Sequence, residues 1–145
     1  MRAFQTLFAL SFLTFALTAC GSGAYTPETV FTALNNDPSG VVGKFRITVR
    51  RVGWYNDTLF LMSDPNYRAP HILIVMVRGD TVRDILQGKN QTVQQYFLNR
   101  EIQVSGLARR GRVVSKDSAG NLTGPSYYQT RIFVGNAEDF EVSHE

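Results

Sequence analysis

The sequence predicts a mainly β domain with helices: five strands, a helix between the third and fourth, and a short helix ahead of the first. Three observations carry this expectation. Apolar and polar residues alternate with period two across Lys44–Arg50, the mark of a half-buried strand. Short apolar runs at Thr58–Ser63, His71–Val77, Glu101–Ala108 and Tyr127–Val134 are bounded by turn-forming residues. Between the second and third of these runs, Val82, Ile85 and Leu86, then Val93, Phe97 and Leu98, recur at helical spacing, with Gly88 interrupting.

The chain opens on a different kind of sequence. Arg2 precedes an apolar run from Phe4 to Leu17, which gives way to the small residues Ala19-Cys20-Gly21-Ser22-Gly23, the order of a secretory signal. A spanning helix needs about 20 mostly apolar residues, and this run is shorter. Leu17-Thr18-Ala19-Cys20 resembles the lipobox of bacterial lipoproteins: a leucine, two small or neutral residues, then cysteine. The resemblance implies lipid on the Cys20 sulfur, cleavage before Cys20 and an acyl chain such as palmitate on the new amine. A diacylglyceryl thioether with an N-acyl chain exceeds the two signals that stable membrane anchoring requires. Gly21 stands where the inner-membrane retention signal of such lipoproteins has Asp, which implies the outer membrane, facing the periplasm. The alternative is a plain signal peptide cut nearby, leaving Cys20 a free, unpaired thiol in an oxidising compartment.

The expected division is a signal peptide at 1–19, lipidated cysteine and tether at 20–25, a short helix and turn at 26–40, one barrel-sized domain at 41–139 and a tail at 140–145. Loss of residues 1–19 removes Arg2 and no acid, so 14 of the 15 basic side chains stand against 12 acids. This weak positive charge says little about partners; its placement matters more. With Cys20 lipidated, no thiol remains for disulfides, and stability must come from packing.

Thr26-Pro27-Glu28-Thr29 carries a helix start: an N-cap, proline at the first helical position and an acid in the first turn. Val30, Phe31 and Leu34 give that helix an apolar face, and Asn35–Gly40 ends it. In the first strand Phe45, Ile47 and Val49 alternate with Lys44, Arg46, Thr48 and Arg50, so its outer face is basic. Val52–Asp57 reads as a turn-rich connection carrying Trp54 and Tyr55, and Asp64–Pro70 as a loop. The strand from His71 is apolar on both faces and therefore covered on both. Asp80–Asn99 reads as helix in one or two pieces, Arg109–Pro125 as a long polar loop, and the tail as acidic. No internal repeat is present.

Five strands with a helix between the third and fourth resembles the oligonucleotide/oligosaccharide-binding (OB) fold, a small Greek-key barrel, over Val41–Asp139. Gly43, the Ile102–Gly106 run and Gly106 as a bend in the fourth strand fit it. An open five-stranded sheet with one packed helix is the competing architecture.

No catalytic constellation stands out, and the expected class is non-enzymatic, with no cofactor. Only His71 and His144 are present, far apart, so no metal site is expected. No serine lies in a nucleophile-elbow context, and no glycine-rich phosphate loop follows a strand. Thermonuclease-like proteins build a metal-assisted phosphodiesterase on this barrel. Asp57, Asp64, Asp80 and Asp84 with Arg46, Arg51 and Arg83 supply the residue types without matching that family's motif. In the OB fold the loops after strands one and four flank the ligand face. The resemblance places Trp54 and Tyr55 on one side of it and Arg109, Arg110, Arg112 and Lys116 on the other, with Arg68 a further candidate. Aromatic faces beside cations suit an anionic saccharide or single-stranded nucleic acid. A periplasmic address favours a glycan, lipid headgroup or envelope protein over nucleic acid. The alternative is that these charges only solvate the surface while Trp54 and Tyr55 cover a barrel end.

Overall fold

The computed structural model describes residues 23–143; the segment 1–19 expected to be a signal peptide, Cys20 and His144 lie outside the described residues. The architecture is mainly β. In chain order it runs α1 (Pro27–Asn36), β1 (Val41–Thr48), β2 (Arg51–Tyr55), β3 (Thr58–Met62), β4 (Leu73–Arg78), α2 (Gly79–Leu86) and α3 (Val93–Phe97). Then come β5 (Glu101–Val113), β6 (Tyr127–Val134), a 3-10 turn at Ala137–Asp139 and β7 (Phe140–Val142).

Helix α1 starts as its sequence dictates. Thr29 N–H donates to the Thr26 hydroxyl at 3.4 Å, and Thr26 N–H donates to the Thr29 hydroxyl at 2.7 Å, a reciprocal cap on two otherwise orphaned donors. Val30 and Leu34 drop into the core, while Phe31 stays half-buried. The helix ends at Asp37, whose carboxylate accepts from Ser39 N–H at 3.1 Å. Gly40 then turns the chain into β1 with φ +138°, where a Cβ would stand 3.1 Å from the Ala108 carbonyl oxygen.

In β1 the period-two pattern holds: Phe45 and Ile47 are buried, Lys44 and Arg46 exposed. The strand pairs antiparallel with β5 from Val41↔Ala108 to Thr48↔Glu101. At Val49–Arg50 the backbone changes partner. Val49 donates to Arg100 O and accepts from Asn99 N–H, both at 2.8 Å, whereas Arg50 N–H donates to Met62 O at 2.8 Å. Beyond that point β2 pairs with β3 through a two-residue turn at Asn56-Asp57, both at positive φ (46° and 56°).

The sheet order is β1-β5-β6-β4-β3-β2, with β4 and β6 parallel and the other neighbours antiparallel. Its two ends, β1 and β2, are successive in the chain, and Arg50 N–H at their junction donates to Met62 O on β3. Phe45, Leu59, Leu61, Val75, Val77, Ile102, Val104 and Ile132 fill the interior between its walls. On β4, Leu73, Ile74, Val75 and Val77 are all buried, as a strand apolar on both faces requires.

Four expectations change. Seven strands replace five, because Val52–Tyr55 of the expected connection Val52–Asp57 belong to a strand paired residue by residue with β3, only Asn56-Asp57 remaining as turn, and because Phe140–Val142 add β7. The helical segment therefore falls between the fourth and fifth strands counted, and it is split into α2 and α3. The Arg109–Val113 part of the expected loop continues β5, in antiparallel register with Tyr127–Arg131. Both of its faces are polar, so no hydrophobic alternation marks it. Residues Phe140–Val142, expected in the tail, pair with Ile102–Val104, and the buried Phe140 ring meets Phe97 edge-on at 5.6 Å.

Candidate binding site

Alternation along β3 sends Leu59 and Leu61 inward and leaves Phe60 and Met62 half-buried on the outside. On β2, Gly53 lies opposite Phe60 and offers no side chain to cover the ring; Arg51 lies opposite Met62. Over these strands folds the β3–β4 loop, which its own polar side chains stiffen. Asn66 N–H donates to Asp64 Oδ1 at 2.7 Å, Arg68 N–H to Asn66 Oδ1 at 3.0 Å, and Leu73 N–H to Ser63 Oγ at 2.9 Å. Buried Gln129 on β6 donates from Nε2 to the Tyr67 carbonyl at 2.8 Å, while its Oε1 accepts two bonds from Arg131, at 3.1 and 2.7 Å.

The loop so held sets Tyr67 edge-to-face with Tyr127, ring centroids 5.9 Å apart. The Arg68 guanidinium lies over both rings, at 5.4 and 5.2 Å, and Arg51 lies over Tyr67 at 5.5 Å while donating to Pro65 O at 3.1 Å. Such contacts orient the cations without neutralising them. An open depression of about 440 Å³ is lined by Gly53, Trp54, Tyr55, Phe60, Met62, Tyr67 and Tyr127. A second, of about 560 Å³, is lined by Phe31, Arg68, Pro70, Arg110, Tyr127 and Tyr128. Tyr127 borders both, so the two make one aromatic and cationic face.

Trp54 and Tyr55 do reach this face, 50 % and 69 % exposed, but from strand β2 and not from a loop. Arg68 is at its centre. The three arginines expected in one loop are instead distributed along β5, where successive side chains point to opposite faces. Arg110 packs on Phe31 at 4.3 Å and donates to Asn35 Oδ1 at 2.8 Å and Phe31 O at 3.1 Å, tying α1 to the sheet. Arg109 pairs in register with Arg131 and Arg112 with Tyr128; both are exposed. Arg110→Ala is therefore expected to cost roughly 1–2 kcal/mol, whereas Arg109→Ala and Arg112→Ala stay within about 0.5 kcal/mol; urea unfolding of each variant measures this.

Tyr67, Tyr127, Phe60 and Met62 are absent from the sequence-level candidates. The outward parity of Phe60 and Met62 and the Tyr127-Tyr128 pair were the available signals. Gln129 carries no such signal, yet it joins the loop to β6. Gln129→Leu removes the donor to the Tyr67 carbonyl and the acceptor for Arg131 and is expected to cost about 1–3 kcal/mol, with faster amide exchange across residues 64–70.

The carboxylates considered for metal-assisted chemistry occupy structural posts. Asp57 sits in the β2–β3 turn, Asp64 stiffens the β3–β4 loop, and Asp84 lies on α2. Asp80 pairs with Arg78, whose hydrogen bond, seconded by Thr81 N–H, holds the Asp80 carboxyl below the usual carboxylate range. Among the described residues no three His, Cys, Asp or Glu side chains converge to hold a metal, and no helix is long and apolar enough to cross a membrane.

Fold and site together define a mainly β protein with one seven-stranded sheet and an aromatic, cationic face on it. No protein-family model matches the chain, and no curated protein matches it. Among solved structures it is similar to an aspartyl-tRNA synthetase from Entamoeba histolytica at 11 % identity and TM-score 0.44, over 94 % of this chain and 24 % of that one. It is also similar to a protein from Leishmania major Friedlin assigned as an aspartyl-tRNA synthetase, at 10 % identity and TM-score 0.43, over 89 % of this chain and 22 % of that one. The chain thus spans about a quarter of the length of each.

Proposed function

We propose that this chain is a lipid-anchored, non-enzymatic binding module of the bacterial cell envelope, built on an OB barrel, that takes an anionic glycan on the face between Trp54 and Arg68. Taken as two halves of one bent strand, β1 and β2 make five strands with β3, β4, β5 and β6, β7 lying off that path, and the helical segment falls between the third and fourth of the five, which supports the OB reading. The observation that carries the ligand class is the Tyr67 ring held between Arg51 and Arg68 and edge-on to Tyr127. Rings offer flat apolar surfaces to the C–H faces of sugars, and the guanidinium groups beside them meet carboxylate or phosphate substituents.

The anchor rests on Leu17–Cys20, and it is the envelope address that favours glycan over single-stranded nucleic acid, for which the same rings and cations serve. Trp54, the only tryptophan, reports binding by fluorescence. An oligogalacturonate is expected to bind with an affinity that falls as salt rises, while a neutral malto-oligosaccharide of equal length and oligothymidylate bind more weakly. Equal affinity for the neutral sugar contradicts the anionic class, and preference for oligothymidylate establishes the nucleic-acid reading in its place.

A further inference from the structure

We propose that the wall formed by β1, β5 and the Phe133 end of β6 docks on the anionic lipid surface to which Cys20 is attached; this rests on the lipid-anchor reading above. The wall carries an apolar row. Val42 on β1 is 78 % exposed and pairs with Leu107 on β5, itself 37 % exposed. One step past the Ala108↔Ile132 pair, Leu107 faces Phe133 on β6, 54 % exposed. By strand alternation all three point outward, away from Phe45, Ala108 and Ile132 in the core. Cations flank the row on both sides: Lys44 two residues along β1, Arg109 two residues along β5, and Arg131 opposite Arg109. None of residues 40–44, 105–109 and 131–133 is acidic. An apolar strip with a basic border is what an interface of acyl chains and anionic headgroups accepts.

The attachment of the N-terminal segment selects a lipid surface as occupant. Tyr25 forms a parallel bridge with Phe45, its N–H donating to Lys44 O at 2.7 Å and its carbonyl accepting from Arg46 N–H at 2.8 Å, and its ring stacks on Phe45 at 5.5 Å. Followed back from Tyr25, the described chain to Gly23 therefore runs along β1 in the direction of Val42. From Cys20 to Gly23 are three residues, a reach of about 11 Å at most. A lipid on Cys20 thus holds this wall within about one Debye length of the headgroups. Trp54 on β2 and Tyr67 in the β3–β4 loop lie off this wall, and Tyr127, six residues before Phe133, stands at the far end of β6, roughly 20 Å away, so the ligand face stays open to the periplasmic space.

The full lipidated chain carrying Phe133→Trp in a Trp54→Phe background, reconstituted into phosphatidylcholine vesicles containing phosphatidylglycerol, tests this. Brominated acyl chains are expected to quench its fluorescence. Lys44→Gln with Arg109→Gln should lower the docked-to-undocked ratio about thirty-fold, at about 1 kcal/mol for each cation near an anionic surface. Mass spectrometry of the Cys20 peptide is read on the same sample. Lipid on Cys20 without quenching overturns the docking proposal alone; absence of lipid on Cys20 overturns the anchor and the docking together.

Discussion

Phe97→Ala is expected to destabilise the chain by about 3–5 kcal/mol, lowering the thermal midpoint by something on the order of 10–20 °C. Phe97 is fully buried at the end of α3, edge-on to Tyr96 at 4.8 Å and to Phe140 at 5.6 Å. Truncation removes the contact that draws the C-terminal segment onto the sheet as well as the ring's own burial. Amide exchange should accelerate at Phe140–Val142 and at Ser143, whose N–H donates to Glu101 O at 3.0 Å. Phe133→Ala is the control: that ring is 54 % exposed, and its loss should change stability little in the absence of membrane. A small effect of Phe97→Ala would show that α3 and β7 are not part of one cooperative unit.

Tyr67→Ala should weaken the anionic glycan by roughly ten- to a hundred-fold, on the 1–3 kcal/mol that a stacked ring contributes in comparable aromatic sites. The ring faces Arg51, Arg68 and Tyr127 together, so its removal frees both guanidinium groups from their fixed positions. Stability should fall by much less, because the loop is held through the Tyr67 carbonyl by Gln129, a contact that alanine keeps. Tyr67→Phe should bind nearly as the natural chain does, since the ring and not the hydroxyl makes these contacts. Isothermal titration with the oligogalacturonate beside urea unfolding separates the two quantities. If affinity and stability fall together, Tyr67 is structural and the binding face lies elsewhere.

What the sequence made legible is what local chemistry alone decides. Thr26-Pro27 fixed where α1 begins, and alternation in Lys44–Val49 fixed which side of β1 is wet. Tyr127–Val134 is β6 at the same bounds, and Gly88, at φ +74°, divides the helical segment as its position suggests. The misses have a common cause. β2 and the end of β5 carry no clear strand pattern of their own, and they exist because β3, across a tight turn, and β6 pair with their backbone. Likewise Tyr67 and Tyr127 are far apart in the chain and meet only through the parallel pairing of β4 with β6 and the Gln129 bond to the loop. Of the candidate contacts, Trp54, Tyr55 and Arg68 share one face. Arg110 borders the adjoining depression and also ties α1 to the sheet; exposed and packed arginines look alike in sequence, and only its bonds to Asn35 and Phe31 tell them apart.

The central claim is that one face, from Trp54 to Arg68, receives an anionic glycan. Chemical-shift mapping of the full chain with the oligogalacturonate tests it most directly. The account predicts that the Trp54 indole N–H and the amides of Phe60, Tyr67, Arg68 and Tyr127 move together and saturably, with Val42, Leu107 and Phe133 unmoved. Shifts confined to the β1, β5 and β6 wall, or of equal size with the neutral sugar, would contradict it.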